Sequence, residues 1–245
     1  MTNSPKYLNP KYTTKERIND LLPRMSLVQK IGQMIQSEWT QLTPNEMAEY
    51  ELGSLLSGGQ AILPNNSIAG WKNLIKEYQT AALSTSLKIP AIFGIDAVHG
   101  HNNVYGATIF PHNIGLGAAN DKKGMYQMGE IVAKEVFGTG FNWNFTPCVA
   151  IANDPRWGRT YESFSTNPEI VNQLALALTK GLQAVGMVAC AKHYLGDGGT
   201  KMGTGLENKS DRGNTILSET EIRKTLLPSY KAQVEMGVQT IMPSY

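Results

Sequence analysis

Three stretches of this chain and its last residue gather side chains able to do chemistry: DAVHGHNN (96–103), NDPRWGRTYE (153–162), KHYLGDGG (192–199) and Tyr245. Between them they supply carboxylates (Asp96, Glu162, Asp197), cations (Arg156, Arg159, Lys192), imidazoles (His99, His101, His193) and amides (Asn102, Asn103), with Trp143 and Trp157 near in sequence. This mixture suits a polyhydroxylated ligand. Each hydroxyl both donates and accepts, and the apolar face of a sugar ring packs on indole. A site that reads hydroxyls gains selectivity because a missing hydroxyl leaves a buried polar group unpaired.

Purely structural roles compete for the same residues. Lys192 and His193 could be a salt-bridged lysine and a hydrogen-bonded core histidine, but their place between an apolar run and a glycine-rich loop favours function. One of Arg156 and Arg159 is expected to brace its loop through Asp154 or Glu162, leaving the other to meet a ligand. Trp143 is expected in the core. His99-Gly100-His101 is an H-x-H just past a strand, as in metal-dependent amidohydrolase barrels, and Lys192, His193 and Asp197 could complete such a site. The chain has four histidines, and the fourth, His112, sits close behind His101 rather than on a strand of its own. His99 and His101 are therefore expected to shape their loop. Gly198-Gly199 fits neither a P-loop nor a G-x-G-x-x-G pattern.

These clusters need elements to position them. The apolar runs 90–95, 141–147, 187–191 and 238–242 read as short buried strands, each leading into a polar cluster or, for the last, to Tyr245. Helices alternate with them. Ser26-Leu27-Val28-Gln29 and Ser218-Glu219-Thr220-Glu221 are capping boxes. The first opens an apolar face of Leu27, Ile31, Met34 and Ile35. Asn120 or Asp121 caps a helix carrying Met125, Met128, Ile131, Val132 and Val136, which stops at Gly138. Asn167-Pro168 opens another with Ile170, Leu174, Leu178 and Leu182, stopped by Gly186. A helix is expected between Ser67 and Ser86, and Pro228 is expected to kink or split the last helix before Gly237 ends it.

Alternating strands and helices imply a parallel sheet. Polar clusters after nearly every strand favour an α/β (β/α)8 TIM-type barrel over a doubly wound sheet. Strand centres are expected near Ile62, Ile92, Asn144, Ala189 and Thr240, which makes five, and eight units at this spacing would need well over ~300 residues. Residues 1–245 are accordingly expected to form the N-terminal part, about five strands, of a larger barrel domain. A five-strand open sheet is the alternative.

With 245 residues and 41% apolar content the chain can bury a substantial core. A net charge of +2, carried by dispersed basic residues, argues against nucleic acid and membrane surfaces as partners. Cys148 and Cys190 read as buried thiols rather than a disulfide. The N-terminus has no basic-then-apolar leader pattern. That fits a cytoplasmic chain, or a periplasmic or secreted one that has lost its leader.

At its motifs the sequence resembles glycoside hydrolase family 3, the β-glucosidases and exo-β-glucan hydrolases. The matching segments are KIGQM (30–34), GIDAVHGHNNVYGATIFPHNIGLGA (94–118), TPCVAIANDPRWGRTYES (146–163), ACAKHYLGDGG (189–199) and IMPSY (241–245). The resemblance implies a substrate-binding set of Asp96, Arg159, Lys192, His193 and Tyr245. Asp96 and Arg159 would meet hydroxyls on the far side of a glucosyl ring. Lys192 and His193 would grip the neighbouring hydroxyls, and Tyr245 would approach the reacting end. It implies retaining hydrolysis of terminal β-D-glucosyl residues, with a β-glucoside or oligosaccharide as partner and neither a metal nor an organic cofactor.

In family β-N-acetylglucosaminidases the loop after Lys-His reads KH-x-P-GHG. Here Leu195 and Asp197 stand at the proline and histidine, which is the glucosidase pattern, in which a second domain supplies the acid. The family nucleophile lies in a Ser-Asp-Trp segment, and these residues contain none; Ser210-Asp211-Arg212 is the nearest string. The expectation is a chain without catalytic carboxylates, inactive alone, whose nucleophile lies beyond Tyr245. A non-catalytic sugar-binding protein shares every gripping residue, and the amidohydrolase-type barrel is the metal-dependent alternative.

Overall fold

A computed structural model describes residues 4–58 and 61–244. The chain divides into two compact units, Met1–Leu56 with Lys76–Ile92, and Ser57–Ile75 with Phe93–Tyr245. Among the described residues the elements run α1 (Thr14–Leu21), α2 (Leu27–Met34), β1 (Gln36–Glu38), α3 (Pro44–Glu49), β2 (Ser54–Ser57), α4 (Ile68–Ser84), β3 (Ile92–Ile95) and α5 (Asn113–Ala119). They continue with α6 (Lys122–Gly138), β4 (Trp143–Asn144), α7 (Pro168–Ala184), β5 (Val188–Tyr194), α8 (Glu219–Glu221), α9 (Leu227–Met236) and β6 (Thr240–Pro243). None of these helices is long and apolar enough to cross a membrane.

In the first unit β1 and β2 pair in parallel, Gln36 opposite Ser54 and Glu38 opposite Leu56. Met47, Leu52, Leu55, Tyr78 and Leu87 are buried there. The Tyr7 hydroxyl donates to the Leu87 carbonyl and the Tyr78 hydroxyl to that of Leu42. The Ser26 capping box forms as expected. The apolar face it opens does not pack: Leu27 is 73% and Met34 80% exposed, and Ile31 and Ile35 are exposed too. Gly32 is the buried residue of α2. It lies so close to the Tyr50 and Glu51 carbonyls that a Cβ there would collide with backbone, so the helix docks through its glycine and turns its stripe outward.

In the second unit β3, β4, β5 and β6 pair in parallel in chain order, with Ile95 opposite Asn144, Asn144 opposite Ala189 and Lys192 opposite Met242. Residues 189–193 of β5 are buried without alternation, as befits a parallel strand covered on both faces. The helix signals hold. Asp121 caps α6 by accepting from Lys123 and Gly124, while Asn120, left-handed, ends α5. Asn167 caps α7 ahead of Pro168, and Leu174, Leu178 and Leu182 are buried. Ahead of Pro228 the helix widens into a π turn over Ile222–Leu226 before α9, which is how it absorbs the missing proline N–H.

Six strands occur among the described residues. Ile62 is not in a strand and is exposed; the strand lies earlier, at Ser54–Ser57, and Gln36–Glu38 was not foreseen. Lys192 and His193 lie inside β5 rather than past its end. Cys148 and Cys190 are buried free thiols.

Candidate active site

The carboxyl end of β3 passes directly into Asp96, and β5 delivers Lys192 and His193 beside it. Lys192 Nζ donates to Asp96 Oδ1 at 2.6 Å. The lysine side chain is 4% exposed and the aspartate 37%, so the carboxylate forms the open half of the pair. In the loop after β4, Arg159 donates from Nε and Nη2 to the two carboxylate oxygens of Glu162, at 2.7 and 2.8 Å. Asn113, at the start of α5, donates from Nδ2 to the Glu162 carbonyl at 2.7 Å.

These groups frame a cavity of about 260 Å³ lined by Asp96, Arg159, Glu162 and Lys192, together with Val98, His99, Asn102, His112, Asn113 and Tyr161. Three aromatic rings follow one another along it: His99 lies 4.3 Å from His112, and His112 lies 4.9 Å from Tyr161. Burial raises the Glu162 pKa, but the hydrogen bond and charge of Arg159 outweigh it and hold the carboxyl below its ordinary value. Arg159 is likewise lowered by burial and raised further by Glu162, so both stay ionised at neutral pH.

Of the expected site residues, Asp96, Arg159 and Lys192 line the cavity. His193 stands behind Arg159, its Nε2 3.3 Å from Nη2. Tyr245 lies outside the described residues. Neither arginine is unbraced: exposed Arg156 is held by Asp154 at 2.5 Å, and Arg159 by Glu162. A free guanidinium was expected because the spacing alone does not show two carboxylates each within reach of its own arginine.

Trp157 packs with Cys148, Ala150 and Ala152 and is no sugar platform. Trp143 is half-buried, its indole N–H donating to Thr240 Oγ1. His112 and Tyr161 were missed. FPHN and RTYE place each beside a recognised motif, but only the tertiary fold stacks them.

His99 and His101 serve different partners. His99 Nδ1 bonds the Phe110 carbonyl, whereas His101 Nε2 bonds Thr139 Oγ1. No group of three or more His, Cys, Asp or Glu side chains that could hold a metal occurs among the described residues.

Residues 26–245 match the model of the glycosyl hydrolase family 3 N terminal domain. The chain belongs to this family. It is 33% identical to a lysosomal beta glucosidase of Dictyostelium discoideum, over 92% of this chain and 30% of that protein. It is 26% identical to a periplasmic beta-glucosidase of Salmonella typhimurium, over 92% and 28%. An exo-1,3/1,4-beta-glucanase from a Pseudoalteromonas species superposes with a TM-score of 0.86 at 42% identity, covering 93% of this chain and 30% of that one.

The chain thus spans about 30% of the length of these three relatives. With its parallel strands and intervening helices, its fold is part of a TIM-type (β/α)8 barrel. The resemblance drawn from DAVHGHNN, DPRWGR and KHYLGDGG holds.

Proposed function

We propose that residues 1–245 are the sugar-gripping part of a longer (β/α)8 domain. The whole protein would release terminal β-D-glucosyl residues from β-glucosides or β-glucan oligosaccharides with retention. The observation that carries this is the complementarity of the cavity wall. Among the described residues, Lys192 spends one of its three N–H bonds on Asp96, and Arg159 spends only its Nε and Nη2 donors on protein. The remaining lysine and Nη1 donors, with the second Asp96 oxygen as acceptor, match neighbouring ring hydroxyls. Such contacts strengthen as oxocarbenium character develops. The glucosidase and glucanase relatives support the substrate class.

Asp197 favours the glucosidase reading over the glucosaminidase one. Burial raises its pKa, but its bonds to His193 and Ser244 hold it below the ordinary value, so it is a poor proton donor. Sugar binding and turnover are separable. The 245-residue chain should bind D-glucose in a calorimetric titration, lose that binding in Asp96→Ala, and leave an aryl β-glucoside intact. Turnover of the aryl glucoside that disappears in Asp96→Ala would refute the assignment of the nucleophile elsewhere.

A further inference from the structure

We propose that Asp197 is a positioning residue: it holds His193 as the Nδ1–H tautomer and so locks Arg159 at the wall of the sugar cavity. The ligand rests on the sugar-site reading above, whereas the proton assignment rests on geometry. Arg159 carries only donors. Its Nη2 meets His193 Nε2 at 3.3 Å, so that ring nitrogen must offer a lone pair, since an Nε2–H would set donor against donor. On the other side His193 Nδ1 lies 2.5 Å from Asp197 Oδ2. An ionised carboxylate only accepts, so Nδ1 carries the proton. Ser244 Oγ donates to the second oxygen, Oδ1, at 2.7 Å.

The result is a continuous line of hydrogen bonds. It starts at Ser244, just past β6, and runs through Asp197 and His193 to Arg159 and Glu162. The loop is built for it. Gly196 and Gly198 take φ values of 130° and 78°, which turn Asp197 back onto the histidine four residues before it. Without the carboxylate the proton can reside on either ring nitrogen. Placed on Nε2 it would repel Arg159 and remove the second of the guanidinium's two tethers. Nη1, which has no protein partner among the described residues, would then no longer be aimed at a hydroxyl.

Removing the acceptor is the test. In Asp197→Leu no side-chain oxygen is left to hold the Nδ1 proton, so the ring proton is free to move to Nε2. Long-range 1H–15N NMR of the labelled 245-residue chain reads the tautomer of each of its four histidines; His193 is assigned from His193→Gln. The wild type should show a protonated Nδ1 and a bare Nε2, and Asp197→Leu a raised fraction of the Nε2–H tautomer. D-Glucose affinity in the variant should fall about tenfold, the loss expected from one well-placed hydrogen bond.

An Nε2–H ring in the wild type, an unmoved tautomer in Asp197→Leu, or glucose bound as tightly by the variant would each overturn the proposal. A wild-type chain with the expected tautomer but no glucose binding would sink the sugar-site reading and leave the Asp197 assignment standing. Should Asp197→Leu not fold, Asp197→Ala is read in its place. A raised Nε2–H fraction there supports the proposal and an unchanged one overturns it.

Discussion

Lys192 Nζ and Asp96 Oδ1 meet at 2.6 Å across 96 residues of sequence, one inside strand β5 and the other one residue past strand β3. The pair is asymmetric, a nearly buried ammonium against a carboxylate more than one-third exposed. Asp96 thus does two jobs. It neutralises a cation that could not stand alone in the core, and it presents its second oxygen to the cavity.

Asp96→Ala is therefore expected to cost stability as well as sugar binding. Leaving a fully buried charge unpaired costs about 3–5 kcal/mol. Solvent at the aspartate screens this pair, which brings the expected loss to about 1–2 kcal/mol. Urea unfolding should show Lys192→Met in the Asp96→Ala background recovering part of that loss, because the orphaned charge is gone. An additive double variant would show that the two side chains are not coupled.

The strands that carry Asp96 and Lys192 were legible because each is an apolar run ending in a polar cluster. Strand β1, Gln36-Ser37-Glu38, was not: it is polar, three residues long and half-buried throughout, so no periodicity announces it. Ser54–Ser57 is a four-residue strand with one leucine buried and the next half-buried, too brief to outweigh the longer apolar stretch around Ile62. The α2 stripe misled for a different reason, since amphipathic spacing reports which face could be buried, not whether a glycine contact elsewhere docks the helix. At the site, Asp96, Arg159 and Lys192 were readable because charge beside a strand is unusual, while the His99–His112–Tyr161 stack exists only once α5 and the 153–163 loop meet.

That meeting yields a second prediction. In α5, a Cβ on Gly117 would run into the Phe164 carbonyl, and the same helix holds the Glu162 carbonyl through Asn113. Gly117→Ala should destabilise the chain by about 1–3 kcal/mol, the usual cost of overpacking. It should also weaken glucose binding by shifting Glu162 and with it Arg159. Gly115→Ala is the control: its Cβ would make only ordinary contact with Pro111, and better helix propensity should leave it neutral or more stable by about 0.5–1 kcal/mol. Equal effects of the two in thermal unfolding would count against the packing argument.

The thiols give a third. Cys148 is 1% exposed, and burial pushes its pKa up to about 12; Cys190 is buried and shifted upward for the same first reason. Only the thiolate attacks an aromatic disulfide reagent. Native protein should therefore release no chromophore, whereas urea-unfolded protein should release it from both cysteines. Rapid labelling of the native chain would mean that the Cys148–Trp157 cluster opens to solvent.

The fourth concerns acid stability, in which two groups act in different pH windows. Burial holds the His101 pKa down to about 4 from an ordinary 6.5. Thr139 spends its own proton on the Val136 carbonyl, so it must accept from His101 Nε2–H, and Nδ1 has no hydrogen-bond partner among the described residues. The unfolded chain takes up this proton near pH 6.5 but the folded chain only near pH 4, so stability falls as pH drops between those values, by on the order of 3 kcal/mol in full. Glu162, held below its ordinary 4.5 by Arg159 against the pull of burial, stabilises fully above that value and loses its contribution as pH falls through the folded pKa. Urea unfolding across a pH series should thus show a decline that starts well above the carboxylate range. His101→Gln should flatten the limb between pH 6.5 and 4, and Glu162→Gln only the part below about 4.5. If His101→Gln kept the wild-type slope between pH 6.5 and 4.5, the upper limb would belong to another group and His101 would not be a buried neutral imidazole.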